Sequence, residues 1–182
     1  MDIYEAIEAR RTTRKFQGPA TEEQLMRIIV AGTKAPSGGN KQAWEFVLVD
    51  DPAIVEKIAD RKYILNRGNK PRRVKVDQET EERAKGQKES FANASLVVVY
   101  NKKGAKADAW LCIENMVLAA VAEGLGTRIA TFWGDAVKDI DKILKIPKGM
   151  EFASCVSIGV PAMGPRERSL RPEGSWLHRN RF

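Results

Sequence analysis

Residues 8–16 read EARRTTRKF and set Arg10, Arg11, Arg14 and Lys15 around Thr12 and Thr13. Arginine forks match phosphate oxygens bidentately, and neighbouring hydroxyls add neutral donors, so R-R-T-T-R is chemically suited to an anion such as a phosphate. A solvated cluster is the plain alternative for such a stretch taken alone. Two further polar groups lie far away in the chain. PSGGN at 36–40 combines flexible backbone with the donors of Ser37 and Asn40, and PRERSLR at 165–171 brings a second group of arginines. A single cofactor touching all three would account for them together.

The residues that run acid–base, nucleophilic or metal chemistry are sparse. The single histidine, His178, stands in an irregular tail and reads as a surface or interface residue. No spacing of His, Cys and Asp suits a metal ion. The carboxylates fall mostly on polar helix faces, where solvated charge is the ordinary explanation. If the chain is an enzyme, the difficult chemistry belongs to a bound cofactor rather than to side chains. EGLGTRI at 123–129 superficially suggests a dinucleotide fingerprint. It fails on context, because its glycines follow a helix and the third glycine is absent, so it reads as a helix end and turn.

The bulk properties bound the answer. A chain of 182 residues with 43% apolar and 30% charged residues is one ordinary globular domain with a real core. The net charge of +7 arises from 31 basic residues scattered among 24 acidic ones, which favours local anion sites over a nucleic-acid stripe. Trp44, Trp110 and Trp133 stand in apolar runs, where core packing is expected, and not among basic residues as a nucleic-acid surface would want. Cys112 and Cys155 also lie in apolar runs and read as buried free thiols of a reducing compartment. With neither a secretory leader pattern nor a membrane-length apolar run, the expectation is a soluble cytoplasmic protein with no membrane or nucleic-acid partner.

These residues must be positioned by a recognisable set of elements. Asp2 caps a first helix carrying Ile3, Tyr4 and Ile7 on one face. Thr21 to Gln24 is a capping box, and Leu25, Ile28 and Ile29 mark a second helix that fades near Gly32. Residues 35–43 form a loop, WEFVLV at 44–49 a strand, and Asp51-Pro52 opens a third helix. Residues 60–92 are strongly charged and read as a surface insertion with a polar helix in its second half, a lid over a pocket being the alternative. LVVVY at 96–100 is a buried strand. Trp110, Ile113, Val117, Leu118 and Val121 then mark a central core helix that stops at Gly124. TRIATFW at 127–133 reads as a strand, Asp135 caps a helix through Leu144, and CVSIGV at 155–160 is a last strand. The tail from Pro161 has no periodicity and must lie on something, a partner subunit being the candidate. Helices and short strands alternate loosely, as in a mixed α/β or α+β fold around one sheet.

Taken in order, RRTTRKF, APSGGNKQAWEFVLV, NMVLAAVAEGLGT and SIGVPA with its basic tail resemble the FMN-dependent nitroreductase family over nearly the whole chain. The resemblance implies an α+β, nitroreductase-like fold: a central, mainly antiparallel sheet flanked by helices, in an intertwined homodimer with FMN at the subunit interface. It implies one domain over residues 1–182, with a charged insertion or lid around 60–92 and an extended tail over 161–182. The family's R-R-S-x-R block corresponds to Arg10, Arg11, Thr12 and Arg14. Arg10 and Thr12 then hold the FMN phosphate, and Arg14 polarises the pyrimidine edge of the flavin. Pro36, Ser37, Asn40 and Gln42 come from the partner, with Ala43 where the family usually has proline. Trp133 and Gly134 fall where members offer backbone N–H groups towards the flavin N5, and Arg166 and Arg168 close on the phosphate. The implied activity is ping-pong transfer of electrons from NADH or NADPH through FMN to a nitroaromatic, quinone or similar small acceptor. Relatives with flavin-consuming, dehalogenating or dehydrogenating chemistry, and a flavin-binding protein without turnover, remain the alternatives.

Overall fold

The computed structural model describes residues 1–164 and 167–181. Its elements run α1 (Ile3–Ala9), β1 (Phe16–Pro19), α2 (Glu22–Gly32), β2 (Trp44–Val49), α3 (Pro52–Asn66) and α4 (Gln78–Ala92). They continue with β3 (Ser95–Lys102), α5 (Lys106–Ala122), β4 (Gly126–Ala130), α6 (Asp135–Ile143) and β5 (Met150–Pro161). Both expected capping boxes form. The Asp2 carboxylate accepts from the Glu5 N–H at 2.9 Å while the Glu5 carboxylate accepts from the Asp2 N–H at 2.8 Å. Thr21 and Gln24 satisfy each other in the same way.

The strands form one antiparallel sheet in the order β1-β5-β3-β2, with β4 also pairing with β5. The long β5 is its spine. Alternation along β3 shows why LVVVY reads as a continuous apolar run. Val97 and Val99 face a core built with Ile28 of α2 and Cys112, Ile113 and Met116 of α5. Leu96, Val98 and Tyr100 face a second core built with Ile58 and Leu65 of α3, Phe91 of α4 and Ile140 of α6. The sheet is therefore covered on both faces, and both side-chain sets must be apolar. The class is α+β. At the end of α2, a side chain on Gly32 would lie 2.6 Å from Met116 Cγ, so the close approach of α2 to α5 needs glycine there.

Several elements differ from the sequence expectation. Residues 60–92 are not a solvated insertion throughout: 60–66 complete α3, α4 packs against it, and Tyr63, Leu65, Ala84 and Phe91 are buried. The charges hid this because some of them are internal. Arg67, only 4% exposed, donates to the Glu81 carboxylate and to the carbonyls of Lys70, Pro71 and Val74. The strand expected over 127–133 ends at Ala130, and Trp133 is 55% exposed rather than core. The cap of α6 is Gly134 at φ 59°, a left-handed conformation that glycine adopts readily, and Asp135 is the first helical residue. Strand β1 was not foreseen, because its glycine and proline argue against a strand until β5 supplies the pairing. On α1 only Ala6 is buried, and Ile3, Tyr4 and Ile7 are exposed.

Candidate cofactor site

The Thr12–Arg14 segment is fixed by β4. Thr12 forms a parallel bridge with Thr127, and the Thr13 N–H donates to the Thr127 carbonyl at 2.8 Å. Gly126 permits this approach, since a Cβ there would lie 2.8 Å from Thr13 Cβ and closer still to its hydroxyl. Past β5 the chain returns over the same segment, where the Ala162 N–H donates to the Lys15 carbonyl at 3.0 Å. One face of α4 closes the opposite side. Arg83, Gln87 and Ser90 follow each other at helical spacing along the wall of a cleft of about 580 Å³.

Thr12 and Arg14 line this cleft together with Arg11. Arg128 of β4 joins them and donates to the Ser90 hydroxyl at 3.3 Å. Among the described residues, neither Arg14 nor Arg128 pairs with a carboxylate. Burial, followed by the charge of Arg14, lowers the pKa of Arg128 to about 10. Arg11 folds back on the end of α1, donating to the Arg10 carbonyl at 2.9 Å with the Glu8 carboxylate 3.9 Å away. Arg168 reaches the same carboxylate at 2.9 Å, so the tail and the N-terminal cluster meet across nearly the whole sequence. Its Nε is buried without a hydrogen-bond partner among the described residues.

Other candidate residues lie elsewhere. Arg10 is off the lining of the cleft and closes α1 with its N–H on the Ala6 carbonyl. Pro36, Ser37, Asn40 and Gln42 do not line the cleft of their own chain. Their loop is nevertheless tightly determined. The Ser37 hydroxyl accepts from the Gln42 N–H at 3.0 Å, the Gln42 side-chain amide donates to Asn40 at 3.1 Å, and Asn40 and Gln42 hold φ of 53° and 47°. Such left-handed conformations away from glycine carry strain that the loop's hydrogen bonds must offset. Arg166 lies outside the described residues.

Trp133 and Gly134 begin the turn into α6, and sequence reasoning missed what holds it. Lys62 of α3 is buried, donates to the Thr131 carbonyl and lies 5.1 and 5.0 Å from the ring centres of Phe132 and Trp133. Burial, with the nearby charge of Arg128, pushes its pKa down to about 8. Arg128, Arg83, Gln87 and Ser90 were also missed. The available signals were a lone arginine between Thr127 and Ile129 in a strand, and Gly86 and Ser90 four apart on a polar helix.

A cleft of this size suits a cofactor-sized ligand. Arg14 and Arg128, which pair with no carboxylate among the described residues, favour an anion there, because the partly buried Arg128 cation is costly without a partner. The residues present thus fit a phosphate-bearing group. The nitroreductase family model matches residues 7–160, and the chain belongs to the nitroreductase family. Among its relatives is a Methanothermobacter thermautotrophicus protein named as a candidate NADH dehydrogenase/NAD(P)H nitroreductase, 27% identical over 93% of this chain and 83% of that protein. An iodotyrosine deiodinase of Thermotoga neapolitana is 25% identical over 87% of this chain and 88% of its own. The crystal structure of a Bacteroides fragilis nitroreductase with bound FMN superimposes with a TM-score of 0.77 at 23% identity, covering 98% of this chain and all of that one.

Proposed function

We propose that this protein is an FMN-dependent oxidoreductase that carries electrons from NADH or NADPH to a nitroaromatic, quinone or similar small acceptor. The observation that carries the reading is the cleft between the RRTTR segment, β4 and α4, which has four arginines, Arg11, Arg14, Arg83 and Arg128, against one carboxylate, Glu89, on its lining, and in which Arg14 pairs with no carboxylate among the described residues. Bound FMN would supply two-electron redox chemistry in two half-reactions, which explains why no acid–base pair or metal cluster need be built from side chains.

The protein's own contribution is to bind, orient and exclude water. Thr12 and Arg11 hold the phosphate, with Arg10 next in the chain and Arg168 joined to Arg11 through the Glu8 carboxylate. Arg14 offers a fixed positive charge to the part of the cofactor that becomes more negative on reduction. Lys62 holds the 131–134 turn, whose Trp133 and Gly134 are off the lining of the cleft; their N–H groups are assigned to the ring on the family resemblance. Residues of α4 form the outer wall, which makes the second half of 60–92 part of the site and not a detached lid.

The same reading includes a homodimer in which Pro36, Ser37, Asn40 and Gln42 reach the partner's cleft. It is supported by the exposed apolar faces of α1, α2 and α5, among them Tyr4, Met26, Val30 and Leu111, and by exposed Trp176 and Leu177 in the tail. Two buried free thiols agree with a reducing cytoplasm. Reductive dehalogenation on the same cofactor is the second reading, favoured by the deiodinase relative.

Anaerobic half-reactions test the proposal. The FMN-loaded protein should lose its visible flavin band with NADH or NADPH and regain it when a nitroaromatic or quinone is added. Flavin that keeps its colour with both nucleotides would remove the reductase assignment. Reoxidation by a halogenated phenol alone, with release of halide, would select the second reading.

A further inference from the structure

The register that ties the N-terminal segment to β4 brings together two arginines that are far apart in sequence. Thr12 bridges Thr127, so Arg14 and Arg128 each follow a bridged threonine by one or two positions and line the same cleft. The only hydrogen bond of Arg128 among the described residues is to the Ser90 hydroxyl at 3.3 Å, a neutral and long contact. No carboxylate pairs with either guanidinium among the described residues. After burial itself, the charge of Arg14 is what opposes the charge on Arg128. A half-buried Arg128 facing the like charge of the more exposed Arg14 across one cleft destabilises the chain unless an anion enters the cleft. An arrangement unfavourable without a ligand and favourable with one is the signature of a binding site.

We propose that Arg128 is a second cofactor-holding cation, acting with Arg14 on the same negatively charged part of the bound FMN. The inference rests on the FMN reading for the identity of the ligand, although the unpaired charge stands without it. Ser90 of α4 positions the guanidinium, which joins the charged helix of residues 78–92 to cofactor binding. The contact is either to the phosphate or to the electron-rich pyrimidine edge of the ring, and the two separate experimentally.

The test compares wild type, Arg128→Gln and Arg128→Lys, each freed of flavin and then titrated with FMN and with riboflavin at matched protein concentration. Removing a charge-assisted contact should weaken FMN binding by about 10- to 100-fold in Arg128→Gln. Relief of the unpaired charge should at the same time raise the Tm of the flavin-free protein by roughly 2–4 °C, as expected for about 1 kcal/mol in a chain of this size. Arg128→Lys keeps the charge, so it should retain most of the affinity and show no rise in Tm. Loss for FMN alone places Arg128 on the phosphate, and equal loss for riboflavin places it on the ring.

Unchanged FMN affinity in Arg128→Gln, or a lower Tm in the flavin-free state, would overturn the inference, the latter by making Arg128 a structural residue. If Arg128→Gln does not fold, Arg128→Lys losing FMN as severely as a neutral residue would overturn it as well. Failure of wild type to bind FMN would instead sink the FMN reading. Inorganic phosphate and pyrophosphate then serve as probes, and Arg128 keeps its anion role only if they raise the Tm of wild type and not of Arg128→Gln.

Discussion

The Thr13 amide sits 2.8 Å from the Thr127 carbonyl, and this one hydrogen bond sets the register between the arginine-bearing segment and β4. The contact exists because Gly126 has no side chain. Gly126→Ala should push the 12–14 segment off the strand, costing about 1–3 kcal/mol of stability through overpacking. It should also reduce flavin retention more than its stability loss alone explains. Urea unfolding together with the flavin-to-protein absorbance ratio checks this, and an alanine variant with normal flavin content would show that the register does not matter.

Arg14→Gln should weaken FMN binding by roughly 1.5–3 kcal/mol, the value of a charge-assisted hydrogen bond. Arg10→Ala is the instructive companion. Its guanidinium lies off the cleft, so loss of FMN in that variant would mean that the assembled protein draws Arg10 onto the phosphate. Full flavin occupancy in Arg10→Ala would remove it from the cofactor set.

Lys62 gives the fold a proton-linked element. Its pKa falls from 10.5 to about 8 because burial, and then Arg128, disfavour the charge, with Cys155 opposing weakly. Below about pH 8 the amine is charged in both states, and the native protein carries the whole cost of burying it. Between about 8 and 10.5 the native state gives up its proton before the unfolded chain does, so this group makes the protein more stable as pH rises. Lys62→Met should lack that increment. Urea midpoints at pH 7 and pH 10 on matched flavin-free samples should therefore diverge between wild type and variant, and parallel profiles would refute the assignment.

Arg67 ties α3, the following turn and α4 together through Glu81 at 2.7 Å and the Pro71 and Val74 carbonyls at 2.8 and 2.6 Å. Arg67→Ala would leave these solvent-reachable acceptors to water and open a void where the buried guanidinium sat, so a loss of about 1–3 kcal/mol is expected. Lysine should rescue little of it, because a single ammonium cannot reproduce the guanidinium fork. Amide exchange in residues 67–77 should accelerate in both variants, and protection unchanged from wild type would contradict the clamp.

What could be read from the sequence divides by the range of the forces involved. The caps at Asp2 and Thr21 were legible because both partners lie within four residues. The buried strands were legible because a sheet covered on both faces needs apolar residues at every position. The fate of charged residues was not. Arg67 and Lys62 are buried against carbonyls of a turn and of a distant segment, which no local composition announces. Asp135 satisfied every local rule for a cap, yet a left-handed Gly134 took the position. Of the site, Thr12 and Arg14 stood out by their chemistry. Arg128 becomes visible only once residues 12–14 are known to run beside β4, and Ser37, Asn40 and Gln42 lie away from their own chain's cleft.

The central claim is that the cleft beside RRTTR holds one FMN. Titrating the flavin-free protein with FMN, followed by flavin fluorescence and by the visible absorbance band, tests it most directly. The account predicts saturation at one FMN per chain, with a perturbed spectrum and a rise in Tm. A protein that leaves FMN free in solution and unshifted in spectrum would contradict it.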